Sequence, residues 1–211
     1  MEAVMDLSHP ARTVVPSLAA DVLLVLAGTT LPMTGRRIHG IAGRASWSGV
    51  RRVLQRMVDS GLVDMTEAGS ANLYCLNREH VAVDAVLALV DLRGRLFDRI
   101  RAAVAEWPIQ PVAMAVFGSA ARGDGDEDSD VDLFVVRPEA VAPDAPQWVQ
   151  GVAALSQAVK RWSGNRCSVI EVSPSQLEEM IHEGAALVDE LGRDQIPLVG
   201  ANVLDAAASL R

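Results

Sequence analysis

The sequence predicts an α+β chain made of two unlike parts, and three observations carry that reading. Residues 14–58 place apolar side chains at helical spacing, interrupted by glycines. Residues 62–77 alternate, turn at "EAGSA" and alternate again, which predicts a β-hairpin. Beyond Pro111, short apolar strands alternate with longer helical stretches. With 211 residues, half of them hydrophobic, the chain is long enough for one large or two small cored domains.

In the first part, "VVPSLAADVLLVLAG" (14–28) has helical apolar spacing and stops at Gly28. "MTGRRIHGIAG" (33–43) offers Thr34 as an N-cap and Gly43 as a stop. "SWSGVRRVLQRMVDSG" (46–61) offers Ser46 or Ser48 as its cap, with Val50, Val53, Leu54, Met57 and Val58 on one face. "HVAVDAVLALVDLRGRLFDRIRAAVAEW" (80–107) reads as a long connecting helix with a bend at Gly94, ended by Pro108 and Pro111. In the second part, strands are expected at 112–120, 131–136 and 166–173, with a short last one at "QIPLVG". Helices are expected at 144–164 and 174–193, the latter with a break at Gly184. These readings divide the chain at 12–82, 83–107 and 108–211.

Several classes are excluded by composition and spacing. No apolar run approaches the ~18 residues of a membrane span, and the acidic N-terminus lacks the basic region of a signal peptide. Cys75 and Cys167 are far apart, so neither a disulfide framework nor a zinc site is expected, and a reducing cytoplasm fits. The net charge of −8 conceals an asymmetry: residues 34–58 hold six arginines and no acid, whereas residues 123–133 hold six acids and no base. Such stretches suit different partners.

Three helices followed by a hairpin resemble the winged helix-turn-helix of bacterial regulators, with "SGVRRVLQRMVDSGLV" as recognition helix and "LYCLNREH" as returning wing strand. The resemblance implies double-stranded DNA as a partner and a homodimer reading two half-sites. Arg51, Arg52, Ser46, Trp47 and Ser48 would face the groove, flanked by Arg36, Arg37 and Arg44. The alternative for the basic stretch is a solvated face, and for Trp47 a core role.

The chemistry sits in "VFGSAARGDGDEDSDVDLFVV" (116–136). Asp130 and Asp132, one residue apart in a strand, point to the same side. Two uncompensated anions there are costly, and a divalent cation removes the cost. All-oxygen ligands suit Mg²⁺ or Mn²⁺. The Gly118-Ser119 turn upstream allows backbone and hydroxyl to approach a phosphate. Asp124, Asp126, Glu127 and Asp128 read as a solvated loop. They do not form a calcium loop, whose sixth and twelfth positions would fall on Ser129 and Val135.

These residues are similar to the signature of the DNA polymerase beta-like nucleotidyltransferase superfamily, in its small stand-alone branch: an apolar residue, Gly-Ser, Arg-Gly, then Ser-Asp-x-Asp-Leu. The resemblance covers roughly residues 112–175. It implies that Gly118 and Ser119 hold the triphosphate of an NTP, that Arg122 and Gly123 shape the loop, and that Asp130 and Asp132 carry the metal. It also implies a third carboxylate on the later strand, where the one acid in "RCSVIEVS" is Glu171. That residue is catalytic if it faces the aspartates and a surface glutamate if the alternation turns it away. The expected function is Mg²⁺-dependent transfer of a nucleoside monophosphate to an acceptor, a protein among the candidates. The alternative is a DNA-binding regulator whose nucleotidyltransferase domain binds nucleotide with weak or no transfer.

Overall fold

The computed structural model describes residues 4–43, 45–126 and 128–210. Arg44 and Glu127, named above, lie outside the described residues. The chain forms two compact units, one from His9 to Arg93 and one from Gly94 onward together with the N-terminal residues up to Ser8.

The first unit contains α1 (Leu18–Ala27), β1 (Met33–Thr34), α2 (Gly35–Ala42), α3 (Trp47–Asp59), β2 (Val63–Ala68), β3 (Ala71–Leu76) and α4 (Val83–Val90). Its helix caps follow the sequence closely. The Thr34 hydroxyl accepts from the Arg37 N–H at 3.3 Å, and the Ser46 hydroxyl accepts from Gly49 N–H at 3.2 Å, so Ser46 and not Ser48 caps α3. The core gathers Val22 and Leu26 of α1, Ile38 of α2, Val50, Val53, Leu54 and Met57 of α3, and Val83 and Val86 of α4. The wing has three strands in the order β1-β3-β2, all antiparallel, where the sequence predicted two. The added strand is only Met33–Thr34, too short to show an alternation. The connecting helix is not continuous: α4 stops at Asp91 and α5 (Leu92–Ala105) follows. The break falls at Asp91, a residue type that competes for backbone bonds, while Gly94 sits inside α5.

The second unit continues with β4 (Ala113–Phe117), α6 (Gly118–Arg122), β5 (Val131–Val136), α7 (Pro146–Ser163), β6 (Cys167–Val172), α8 (Pro174–Glu183), α9 (Ala186–Asp194) and β7 (Ile196–Val199). The strand order is β6-β5-β4-β7. Only the β5/β6 pair is parallel, because the 18-residue helix α7 carries the chain back across the sheet. Gly184 ends α8 with a φ of +65°, placing the helix break at the predicted glycine. Ala113, Ala115, Phe117, Phe134, Val136 and Val172 form the sheet side of one core, closed by Leu177 of α8, Leu191 of α9 and Val203. No described helix is long and apolar enough to cross a membrane.

Candidate functional site

The site lies at one end of the second sheet, where β4 runs into α6 and β5 begins. Gly118 follows β4 with a φ of +66°, a conformation that glycine adopts without penalty. A Cβ at this position would lie 3.0 Å from Asp132 Oδ2 and 3.9 Å from Glu190 Oε1. The glycine therefore brings the turn directly against the Asp132 carboxylate. The antiparallel register sets Phe117 opposite Asp132, which fixes the turn and the aspartate at the same level of the sheet. Ser119 is the second residue of α6, and its carbonyl closes that short helix by accepting from the Gly123 N–H at 2.9 Å and the Asp124 N–H at 3.3 Å.

The acidic loop that follows is tied down internally. The Ser129 hydroxyl donates to Asp126 Oδ1 at 2.9 Å and accepts from the Asp126 N–H at 3.0 Å. The Asp128 N–H also reaches Asp126 Oδ1. The buried Asn165 side chain donates to the carbonyls of Ser129 and Met5. Asp126 thus serves the loop's own geometry. Arg122 and Gly123 shape the same loop. Gly123 ends α6 at a φ of +76°, and the Arg122 guanidinium reaches Asp124 Oδ2 and Asp194 Oδ2 at 3.0 Å each and Glu190 Oε1 at 3.6 Å. Hydrogen bonds to Asp124 and Asp194 hold that guanidinium protonated even more firmly than usual. Arg122 therefore fastens α6 to α9.

Asp130 and Asp132 are half-buried and make no ion pair among the described residues. Burial raises the Asp132 carboxyl above its ordinary value, and the neighbouring charges of Asp130 and Glu190 push it further the same way. Ser168 pairs in register with Asp132, and its hydroxyl donates to Asp130 Oδ2 at 3.2 Å. Asp130 also lines a cleft of about 380 Å³ shared with Lys160, Gly164 and Arg166. Among the described residues no three His, Cys, Asp or Glu side chains converge as a metal cage. Two carboxylates fit Mg²⁺ all the same, since that ion is commonly held by one or two carboxylates together with substrate phosphates.

Glu171 is not brought to this site. It pairs with Val135, one face away from Asp132, and its Oε1 accepts from Arg137 Nε at 2.7 Å. Arg137 is buried, and its Nη1 also donates to the carbonyl of Val141. Glu171 therefore neutralises a buried cation on the opposite face. Glu190, Ser168 and Arg166 were not identified as site residues from the sequence. Glu190 arrives on a helix far along the chain, with no local pattern to announce it. Arg166, directly before β6, was read only as the first residue of the strand expected at 166–173.

In the first unit, Arg51, Arg52 and Ser48 are exposed on α3, and the Ser46 hydroxyl is engaged in capping. Trp47 packs against the start of α2, where a Cβ on Gly35 would approach its ring to 3.0 Å. Arg36 lies over the same ring at 5.1 Å and His39 meets its edge. Trp47 therefore braces the α2–α3 turn and holds Arg36. Arg37 instead lines a cleft of about 470 Å³ with Leu24, Val25, Leu31 and Ile41.

Residues 98–163 match the family model described as a nucleotidyltransferase domain. The match falls within the second unit, takes in the Gly-Ser turn and both aspartates, and ends before β6. No curated protein matches the chain. Among solved structures, a predicted DNA-binding transcriptional regulator from E. coli is 26% identical, with a TM-score of 0.30 over 41% of this chain and 81% of that one. A toxin-antitoxin structure with AMP-PNP is 14% identical, with a TM-score of 0.35 over 54% of this chain and 82% of that one. At these TM-scores the likenesses carry no weight of their own.

Proposed function

We propose that the protein binds an NTP with Mg²⁺ through Gly118, Ser119, Asp130 and Asp132, and transfers its nucleoside monophosphate to a hydroxyl. The observation that carries this reading is the contact between the Gly118 turn and Asp132, inside the segment that matches the nucleotidyltransferase model. Backbone and hydroxyl of Gly118 and Ser119 take the phosphates, and Asp130 and Asp132 would hold the metal, or Mn²⁺ in its place. The bound cation supplies charge neutralisation at the transferring phosphoryl group. Arg166 and Lys160, which line the same cleft as Asp130, add positive potential for a polyanion. Titration of a fluorescent ATP analogue with and without Mg²⁺ tests this. Metal-dependent binding that Asp130→Asn abolishes is the expected result, and binding indifferent to both metal and variant rejects it.

The winged-helix unit is read as a DNA-binding module, because α3 exposes Arg51 and Arg52 beside a three-stranded wing. Arg51→Ala and Arg52→Ala are each expected to lower duplex affinity and to reduce the salt slope by about 1. Electrophoretic mobility shifts over a salt series measure this, and unchanged slopes reject the module. Glu171's engagement with Arg137 favours a second reading, in which the transferase domain binds nucleotide but turns over slowly and serves a DNA-binding, dimeric cytoplasmic regulator. A protein acceptor belongs to the first reading, and gel shifts with and without ATP and Mg²⁺ separate the two.

A further inference from the structure

We propose that Ser168 is a site of self-nucleotidylation, its own hydroxyl accepting the nucleoside monophosphate from the NTP bound at Asp130 and Asp132. The inference rests on the nucleotide-binding reading above. Ser168 is the second residue of β6, an edge strand of the sheet, and its side chain is exposed. Register places it beside Asp132, and its hydroxyl donates to Asp130 Oδ2 at 3.2 Å. A hydroxyl within hydrogen-bond reach of a carboxylate is the arrangement of a nucleophile and its base.

The neighbouring hydroxyls are placed differently. Ser129 is locked to Asp126 inside the acidic loop. Ser119 belongs to the phosphate turn, with Gly125 packed so closely that a Cβ there would lie 3.2 Å from its Oγ. β6 offers no carboxylate at this level, because Glu171 is bound to Arg137 on the other face. The strand thus presents to the aspartates a hydroxyl of its own and no carboxylate.

In the step, Ser168 Oγ bonds to the α-phosphorus while the bond from that phosphorus to the oxygen bridging the β-phosphate breaks. Pyrophosphate leaves and takes up the Oγ proton by way of Asp130 Oδ2, so that the carboxylate ends ionised as it began, and the product is a serine phosphodiester of the nucleoside monophosphate. No oxidant or reductant enters. Because the serine is consumed, each chain reacts once.

The test uses the full chain with Mg²⁺ and ATP labelled at the α- or the γ-phosphate, followed by intact-mass measurement and peptide mapping. The α-label is expected to become covalent on the peptide containing Ser168, with no γ-label retained. Ser168→Ala is expected to lose the label, and Ser168→Thr to regain it at the same position, with folding of both checked by circular dichroism. Binding of the fluorescent ATP analogue is measured on the same wild-type preparation. Nucleotide bound without covalent label, γ-label retained, or α-label persisting in Ser168→Ala overturns this proposal alone. No nucleotide binding overturns it together with the reading on which it rests.

Discussion

The two ends of the β5–β6 pair treat their carboxylates in opposite ways. At the first end, Asp132 stands beside Ser168, with Asp130 next to it and no cation paired to either among the described residues. At the second end, Glu171 stands beside Val135 and holds the buried Arg137 at 2.7 Å. Ser168 and Glu171 are separated by an odd number of positions, and a strand's side chains alternate with a period of two. The same alternation that brings Asp130 and Asp132 to one side therefore sends Glu171 to the other. Acid content along a strand says little about a site until the register is known. One end of the pair is charge-balanced by the protein itself, and at the other no ion pair neutralises the aspartates among the described residues.

The sharpest way to break this comparison is Glu171→Ala. It leaves the Arg137 guanidinium, whose side chain is only 7% exposed, without its anion. Removing one partner of a buried pair costs about 3 kcal/mol or more. Thermal melting is expected to drop accordingly, with nucleotide affinity nearly unchanged at temperatures where the variant remains folded. Lost nucleotide binding with an unaltered melting temperature would return Glu171 to the site and dissolve the contrast between the two ends.

Gly118→Ala acts at the other end and is expected to cost less. The new methyl group would sit 3.0 Å from Asp132 Oδ2, on a backbone whose φ of +66° disfavours any side chain. The conformational part alone is worth about 1–2 kcal/mol. The expected outcome is a modest loss of stability together with a clear loss of nucleotide affinity, because Asp132 must move. Melting and nucleotide titration on one preparation separate these effects. A variant that melts lower yet binds nucleotide normally would show that the close approach serves folding alone.

Most of this architecture was legible because the determinants are local. Thr34, Ser46, Gly43 and Gly184 punctuate their helices where the sequence placed them. The Gly118, Ser119, Asp130 and Asp132 constellation is compact in sequence, and antiparallel pairing of β4 with β5 keeps it compact in space. What was not legible depends on long-range placement. The face of Glu171 follows from a parallel register set by an 18-residue crossover helix, and no neighbour of Glu171 in sequence reveals Arg137 as its partner. Glu190 and Asp194 reach Arg122 only because α9 packs against α6. What each arginine of α2 touches also depends on long-range placement. Arg36 and Arg37 are adjacent in sequence, yet one stacks on Trp47 and the other lines a cleft with Leu24, Ile41 and Asp21, since neighbouring helical residues do not share a face.

Asp132→Asn probes the uncompensated end with the smallest perturbation and the most specific pH signature. Burial, then Asp130 and Glu190, hold the Asp132 carboxyl above its ordinary value of 3.8. The folded protein therefore binds this proton more tightly than the unfolded chain does. Stability falls as the pH rises from the ordinary value through the raised one, and at neutral pH the ionised carboxylate works against the fold. The amide removes that charge, so Asp132→Asn is expected to melt higher than the wild type at neutral pH. The gap should close as the pH is lowered and Asp132 takes up its proton. Mg²⁺ should raise the wild-type melting temperature at neutral pH and leave the variant's unmoved. A gap that is constant with pH, or a variant stabilised equally by Mg²⁺, would mean that Asp132 is already balanced within the protein, as Glu171 is.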